Sequence, residues 1–224
     1  NKPKPMVSVL GRPVIDYVKD SMSYAGISEI IVTTGYQGEQ LVSHVKSWNL
    51  NGRVNQESTP MGTAGSVKLL EDELEDTFVV GSGDSVASFD ITDLIKSHKE
   101  SGAMVTMALW SVDNPSEFGI VGLSKQPSGN LDPTLSEGYI CKFLEKPKPE
   151  EAFSNLINAG LYIIEPEVMD LIPTGEKYDF SKQLFPDILS RGWKIYAKKV
   201  EGIWFDVGHP FELLNAQLAL IQNS

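Results

Sequence analysis

Short apolar runs alternate with amphipathic segments along the first half of the chain. Strands covered on both faces are predicted where Val, Ile, Phe and other apolar residues cluster, at 29–34, 77–80 and 103–110. Helices are predicted where apolar positions recur every three or four residues, at 14–25, 39–46, 62–74 and 90–100. Strand–helix alternation of this kind is typical of an α/β protein with a parallel sheet flanked by helices.

The pattern changes after residue 110. Segments 118–123 and 139–143 resemble strands around a loop rich in Gly, Pro and Ser, which predicts an antiparallel hairpin. The most apolar segment, 156–164, is predicted to be a strand that Asn158 and Gly160 interrupt. Further elements are expected as helices at 167–171 and 180–190, a strand at 193–200 and a closing helix from Pro210 to residue 221.

Composition narrows the function classes. The 224 residues are 41% hydrophobic and 22% charged, which fits one globular domain or one domain with an added lobe. The net charge of −11 argues against non-specific nucleic-acid binding, which needs a cationic surface. No apolar run approaches the roughly 20 residues of a membrane span. The single Cys141 cannot form an internal disulfide, so we expect a cytoplasmic protein.

Two aspartates follow apolar strands where the chain reaches a glycine. Asp84 follows segment 77–80 through Gly-Ser-Gly, and Asp206 ends segment 202–206 just before Val-Gly. In open α/β sheets, ligands bind at the carboxyl ends of strands. A pair of carboxylates there can hold Mg²⁺ while phosphate oxygens complete its coordination shell. An aspartate in such a turn can equally cap the turn or a following helix, so both roles stay open.

Two lysines could supply positive charge near such a metal. Residues 2–13 are expected to form a basic loop in which flanking prolines stiffen Lys4, and Lys146 follows Glu145 at the end of strand 139–143. Cations stabilise the charge that develops when phosphorus is attacked in line. Each lysine could equally be a solvated surface residue.

The small residues at 62–65 open a predicted helix whose first amides favour an anion or a carbonyl oxygen. Close packing of the helix on a strand would explain them as well. Asn158 lies in a buried strand, so its amide must be hydrogen-bonded, either to a neighbouring group or to a ligand hydroxyl. The chain has neither a P-loop nor a G-x-G-x-x-G fingerprint, and its histidines are not in a nucleophile-elbow context.

Six short motifs occur in a fixed order, at residues 2–6, 60–65, 83–84, 145–147, 158–160 and 204–208. Together they resemble the sugar-1-phosphate nucleotidyltransferases, in particular the mannose-1-phosphate guanylyltransferases and the glucose-1-phosphate thymidylyl- or uridylyltransferases. The resemblance covers the whole chain. It implies a single nucleotidyltransferase domain over residues 1–224, with a Rossmann-like mixed, mostly parallel sheet flanked by helices. The small antiparallel lobe of the family would lie within about residues 111–165.

The resemblance also implies an activity. The enzyme would transfer a nucleotidyl group from a nucleoside triphosphate to a sugar-1-phosphate and release pyrophosphate, with Mg²⁺ as cofactor and no covalent intermediate. Asp84 and Asp206 would bind Mg²⁺, Lys4 would contact the nucleotide phosphates, and Lys146 the sugar phosphate. Lys4, Asp84 and Lys146 would therefore be the catalytic residues.

The remaining implied site residues bind the base and the sugar. Gln56 or Glu57 would act with Gly62 and Thr63 at the base, and Asp84 would also face the nucleotide. The implied sugar site consists of Gly119, Glu145, Lys146, Asn158 and Gly160. Glu57 slightly favours GTP with mannose-1-phosphate, because a carboxylate accepts hydrogen bonds from guanine N–H groups. Gln56 weakens that preference, and glucose-1-phosphate with dTTP or UTP stands close behind.

Two alternatives share the fold. One is a sugar-nucleotide-binding or regulatory module without turnover, and the other is a nucleotidyltransferase for phosphocholine or another alcohol phosphate. The family also opens with an apolar strand and a Gly-rich loop before the Lys4 motif, and neither is in this sequence. We therefore expect that the chain is incomplete at its start, or that another segment lies beside strand 77–80. Whether the protein forms a homo-oligomer is left open by the sequence.

Overall fold

The computed structural model describes residues 3–35, 38–208, 214–215, 217–218 and 220–221. The chain groups into two compact units. Unit 1 comprises Asn1–Pro60, Gly81–Thr92 and Glu201–Ser224, and unit 2 comprises Met61–Val80 and Asp93–Val200. None of the helices in the described part of the chain is both long and apolar enough to span a bilayer.

The described strands are β1 (Ser8–Val9), β2 (Arg12–Pro13), β3 (Glu29–Thr34), β4 (Asn51–Gln56), β5 (Phe78–Gly81), β6 (Ser85–Phe89), β7 (Val105–Ser111), β8 (Gly119–Ser124), β9 (Glu137–Glu145), β10 (Leu156–Ile164), β11 (Ile195–Lys199) and β12 (Gly202–Asp206). The described α-helices are α1 (Ile15–Tyr24), α2 (Glu39–Lys46), α3 (Gly62–Lys68), α4 (Ile91–Ser101) and α5 (Phe185–Ser190). Shorter 3₁₀ turns span Lys4–Met6, Glu71–Glu73, Pro149–Glu151 and Pro166–Leu171, and a π-helical turn spans Phe180–Leu184.

In unit 1, strands β6 and β12 pair antiparallel, and helix α1 packs beside them. Ser21 of α1 is buried because its hydroxyl accepts a hydrogen bond from the Phe89 N–H at 3.1 Å and reaches the Ala87 carbonyl at 3.4 Å. Tyr17, one turn earlier, donates its hydroxyl to the Val9 carbonyl at 3.0 Å. The Ser21 bonds satisfy backbone groups of β6 and hold α1 against that strand, and the Tyr17 bond holds α1 against β1.

Strands β3 and β4 form a separate parallel pair in unit 1, in register from Glu29 opposite Asn51 to Thr34 opposite Gln56. Helix α2 joins them, and its Leu41 and Val45 are buried. Strand β3 and helix α2 match the predicted strand at 29–34 and helix at 39–46, and the parallel pairing fits them because it needs a crossover long enough for a helix.

Unit 2 is built on a six-stranded sheet in the order β5-β10-β7-β11-β9-β8, and β8 also pairs with β10. The central strand β7 is buried along Val105–Leu109, and its apolar side chains pack with those of β10 and α5. Phe185 and Ile188 of α5 are fully buried in this core. A strand buried on both faces reads as a continuous apolar run, which explains why β7 and β10 are evident in the sequence.

The mixed α/β fold is confirmed, as are helices α1, α2 and α4 and the β8–β9 hairpin. The expected predominance of parallel pairing is corrected. Among the pairs with a described register, β3–β4 and β7–β11 are parallel and the others are antiparallel. The prediction of one domain over residues 1–224 stays a prediction.

Other expectations need local corrections. The basic loop contains the short β1–β2 hairpin, and Lys2 lies outside the described residues. Strand β6 was not predicted, and β3 and β5 are only partly buried. The predicted helix at 62–74 ends at Lys68, since a 3₁₀ turn follows it, and the predicted helix at 167–171 is also a 3₁₀ turn. Pro210 and much of the closing helix lie outside the described residues.

Strand β5 lies at one edge of the six-stranded sheet, where β10 is its neighbour among the described strands. Backbone groups on the other side of an edge strand have no partner in the sheet. The expectation that a further strand belongs beside β5 therefore stays an expectation.

We predict that Gly202→Ala destabilises the protein by more than about 2 kcal/mol. Gly202 has φ +130°, and a Cβ at this position would overlap the carbonyl oxygen of Ser88 on the paired strand. Gly26→Ala is the control, because Gly26 has φ +87° but open space around it, so only the cost of the left-handed backbone, about 1 kcal/mol, is expected. Urea unfolding would measure both variants, and an equal loss of stability would contradict the overlap.

Candidate functional site

The pairing of β6 with β12 brings Asp84 and Asp206 to the same end of a two-stranded sheet. Asp206 lies opposite Ser85 in the ladder, and Asp84 is the residue just before Ser85. Paired residues in an antiparallel ladder have Cα atoms about 5 Å apart, so the two aspartates are close neighbours in the backbone. Both lie in unit 1, Asp84 partly buried and Asp206 exposed.

Each carboxylate is held by one oxygen. The Ser82 hydroxyl donates to Asp84 Oδ1 at 2.6 Å, and the Gly208 N–H donates to Asp206 Oδ1 at 2.9 Å. Neither Oδ2 atom accepts a hydrogen bond from any described residue. The described residues contain no cluster of three or more His, Cys, Asp or Glu side chains that could hold a metal. A two-carboxylate site fits Mg²⁺ only when phosphate or water oxygens complete the shell.

Lys4 also belongs to unit 1. It begins the 3₁₀ turn Lys4–Met6, where the Val7 N–H donates to the Lys4 carbonyl at 3.0 Å, and it is exposed. The turn lies against the loop that carries Asp84, because a Cβ on Gly83 would be 3.9 Å from the Pro5 Cβ. The structure therefore places the backbone of the Lys4 motif beside the Asp84 motif.

The residues predicted to bind the base fall into different units. Gln56 and Glu57 follow one another at the end of β4 in unit 1, and the Glu57 N–H donates to the Thr34 carbonyl at 2.8 Å. Gly62 and Thr63 begin helix α3 in unit 2. Their role at a base stays a prediction.

The first turn of α3 is packed closely against Tyr178. The Ala64 and Gly65 N–H groups both donate to the Tyr178 carbonyl at 2.9 Å, and a Cβ on Gly62 would be 2.7 Å from that oxygen. The Thr63 N–H donates to Asp179 Oδ1 at 3.1 Å. The amides at this helix start therefore bind a carbonyl oxygen and a carboxylate of the same unit, which is the packing alternative that the small residues left open.

Glu145 and Gly119 lie opposite each other where β8 meets the end of β9. A Cβ on Gly119 would be 2.7 Å from Glu145 Oε2, so only glycine leaves room for the carboxylate. Burial raises the pKa of Glu145, whereas the charges of Lys146 and Lys182 act in the opposite direction. A half-buried carboxylate can accept hydrogen bonds from sugar hydroxyls.

Lys146 leaves the strand with a left-handed backbone, φ +46°. Its N–H donates to the Phe118 carbonyl at 3.0 Å, which holds this conformation. Non-glycine residues at positive φ are uncommon, and they occur where the surrounding structure fixes them. In a regular strand, adjacent side chains point to opposite faces. Because the strand ends in this turn, that alternation does not apply to the half-buried Glu145 and the exposed Lys146.

Asn158 and Gly160 form a bulge in β10. The register with β7 shifts between Asn158 and Tyr162, and Gly160 has φ +74°. The Asn158 side chain is hydrogen-bonded to Gly160, Tyr162 and Ser181. The amide thus satisfies neighbouring groups, as one of the two sequence-based interpretations requires.

Four polar residues at this end of unit 2 were not predicted from the sequence. The charges of Asp179 and Lys182 act on Glu145, and Tyr162 and Ser181 contact Asn158. The apolar spacing of residues 180–184 predicts an ordinary α-helix, whereas the structure has a π-helical turn there. In this turn Lys182 is exposed and Ser181 is partly buried. Tyr162 lies within an apolar strand, where nothing local marks it as functional.

We predict that Glu145→Gln stabilises the protein near neutral pH by less than about 1 kcal/mol, since solvent still screens the half-buried carboxylate. The raised pKa means that Glu145 contributes most to stability when protonated, below its unfolded-state pKa, and that this contribution is lost as the pH rises through the folded-state pKa. The gain should vanish below about pH 4, where the wild-type carboxyl is neutral.

Urea unfolding across this pH range would measure the effect. Glu150→Gln, a change at an exposed site of the same unit, is the control and should leave stability nearly unchanged. If Glu145→Gln destabilises the protein near neutral pH, the attraction of the two lysines outweighs the cost of burial.

The chain is similar to a known protein family. Residues 1–223 match the nucleotidyl transferase family. A UTP–glucose-1-phosphate uridylyltransferase of Synechocystis sp. is 32% identical over 223 residues, covering 92% of this chain and 55% of the relative. A mannose-1-phosphate guanyltransferase of Saccharomyces cerevisiae is 33% identical over 228 residues, covering 99% of this chain and 60% of the relative. The chain thus spans little more than half the length of these curated relatives.

The fold is shared with solved structures. A UDP-glucose pyrophosphorylase from Acinetobacter baumanii superposes with a TM-score of 0.79 at 24% identity, covering 97% of this chain and 85% of that one. The family match extends over nearly the whole chain, and the fold agrees with it. The chain therefore belongs to the nucleotidyl transferase family.

Proposed function

We propose that the protein transfers a nucleotidyl group from a nucleoside triphosphate to a sugar-1-phosphate and releases pyrophosphate. The observation that carries the proposal is the β6–β12 register, which puts Asp84 and Asp206 at one end of that ladder, each with a carboxylate oxygen that accepts no hydrogen bond from the described residues. The family membership and the names of the relatives support the same reaction.

In this proposal, unit 1 binds the nucleotide phosphates. Asp84 and Asp206 would hold Mg²⁺, which when bound neutralises phosphate charge and polarises the phosphorus that is attacked. Lys4 would contact the phosphates from the turn packed beside Gly83. Ser82 and the Gly208 N–H would keep the carboxylates oriented, because each fixes one carboxylate oxygen.

Unit 2 would bind the sugar-1-phosphate. Lys146 would pair with its phosphate, and the left-handed turn fixes where the lysine backbone leaves β9. Glu145 would accept hydrogen bonds from sugar hydroxyls, with Gly119, Asn158 and Gly160 around it. The attacking group is an oxygen of the sugar phosphate itself, so the chain needs no nucleophile. Orientation and charge neutralisation would carry the catalysis.

Substrate identity is proposed from one residue and from the relatives. GTP with mannose-1-phosphate is the first choice, because Glu57 can accept from guanine N–H groups. UTP or dTTP with glucose-1-phosphate is the second, and the relatives include a uridylyltransferase as well as a guanyltransferase. We further propose a cytoplasmic location.

A substrate panel tests the proposal. Pyrophosphate release would be measured with Mg²⁺, each nucleoside triphosphate and mannose- or glucose-1-phosphate. Release with one nucleotide–sugar pair would support the reaction and identify its substrates. Binding of a sugar nucleotide without release from any pair would favour a binding module of the same fold, and release with phosphocholine alone would favour a different acceptor.

We predict that Asp84→Asn and Asp206→Asn each reduce Mg²⁺-dependent pyrophosphate release at least about 100-fold, because each removes one of two anionic metal ligands. Steady-state rates over a range of Mg²⁺ concentrations would measure the loss. Asp90→Asn is a matched control in the same unit, since Asp90 makes the same kind of local bond, accepting from the Thr92 N–H at 2.9 Å. Near-normal rates for Asp206→Asn would remove the two-carboxylate assignment.

A further inference from the structure

The bulge in β10 creates a side-chain cluster that a regular strand could not form. Asn158 pairs with Leu109 and Tyr162 with Met107, so four residue steps along β10 match two steps along β7. Residues four apart in a regular strand are separated by about 13 Å. Here the left-handed Gly160 compresses the strand, and Asn158 Nδ2 lies 2.7 Å from the Tyr162 hydroxyl.

The hydrogen bonds determine which way the Asn158 amide faces. The Gly160 N–H can only donate, and it lies 2.8 Å from Asn158 Oδ1, so the carbonyl end of the amide points to Gly160. The NH₂ end then donates to the Tyr162 hydroxyl at 2.7 Å and to the Ser181 hydroxyl at 3.1 Å. Both amide protons are used within the protein, so Asn158 has no donor left for a ligand.

The hydroxyl protons of Tyr162 and Ser181 cannot both donate hydrogen bonds within the group formed by these residues and Asn158. Each hydroxyl oxygen accepts a hydrogen bond from Asn158, so neither hydroxyl proton is used in those two bonds. A contact between two hydroxyls uses only one of their protons. At least one O–H must therefore point out of the cluster formed by Asn158, Tyr162 and Ser181.

Exposure identifies which hydroxyl faces outward. Tyr162 is 7% exposed, and its ring packs between Phe180 and Phe185 at centroid distances of 5.2 and 4.9 Å. Ser181 is only partly buried, because it lies in the π-helical turn Phe180–Leu184. Single π turns in helical segments are frequent at functional sites. Because the Tyr162 hydroxyl is in a buried residue and Ser181 is only partly buried, the Ser181 proton is the one that can reach a ligand.

We propose that Ser181 is a specificity-determining residue, whose hydroxyl donates a hydrogen bond to a hydroxyl oxygen of the sugar in a bound sugar-1-phosphate, and that Asn158 is a positioning residue. This inference rests on the proposed function of the same site. Strand β8 pairs with Glu145 through Gly119 and, one residue on, with the residue before Asn158, so an acceptor and a donor lie at this end of unit 2. A sugar hydroxyl both donates and accepts, and such a pair can satisfy it.

Binding of sugar phosphates tests the inference without requiring turnover. Glucose-1-phosphate, mannose-1-phosphate and the monodeoxy analogues of glucose-1-phosphate would be titrated by calorimetry into the wild type and Ser181→Ala. The variant should bind the preferred parent sugar phosphate about five- to tenfold more weakly, the cost of one hydrogen bond. For one monodeoxy analogue, the affinity of Ser181→Ala should be less than about twofold below that of the wild type, because this analogue lacks the hydroxyl that Ser181 contacts.

Two further variants separate recognition from structure. Ser181→Thr keeps the hydroxyl and should retain most of the affinity. Ser190→Ala is the matched control, because the exposed Ser190 hydroxyl donates only to the Asp187 carbonyl at 2.8 Å, and it should bind as the wild type does. Asn158→Ala should weaken all analogues alike, as expected of a positioning residue.

The outcomes are distinct. Unchanged binding by Ser181→Ala, or equal weakening of every analogue, would overturn the inference while the transfer reaction could still stand. Selective weakening in a protein that releases no pyrophosphate would support the inference and count against the proposed reaction. If the wild type binds none of these sugar phosphates, both are wrong.

Discussion

The antiparallel pairing of β6 with β12 is the constraint on which unit 1 depends. It joins segments that are far apart in the chain, and it is the reason that Asp84 and Asp206 are neighbours. Ser21 of α1 satisfies backbone groups of β6, so the helix is attached to the same ladder. A glycine at position 202 lets the two backbones approach at the start of the pairing. The proposed metal site is thus a consequence of strand register rather than of a local motif.

Unit 2 depends on left-handed backbone at two positions that their neighbours hold in place. Gly160 and Lys146 both have positive φ, the first inside a bulged strand and the second at a strand end. Strain of this kind costs about 1–3 kcal/mol at each non-glycine position and persists only where the surroundings over-determine it. Here β10 is held by the strands on both of its sides, and the Phe118 carbonyl holds Lys146. The left-handed backbone at these two positions changes the direction of the chain and places polar groups where regular strands would not.

The elements that the sequence predicted well are those with a strong apolar period. Helices α1 and α2 and the buried strands β7 and β10 have side-chain patterns set by which face is covered. Strand β6 (Ser85–Phe89) was missed because it is short and half polar, and pairing with β12 stabilises it rather than local propensity. The turn at Phe180–Leu184 was predicted as a helix because its apolar spacing suits either form.

The sequence by itself determined the mixed α/β class, the order of the motifs and the kinds of groups that the site contains. It could do so because periodicity and residue chemistry are local properties. Only the tertiary structure decided that Asp84 and Asp206 lie at the same end of one ladder, that the start of α3 is packed on Tyr178, and that Asn158 uses its donors within the protein. These outcomes depend on strand register and on hydrogen bonds between distant segments, which no local pattern of residues contains.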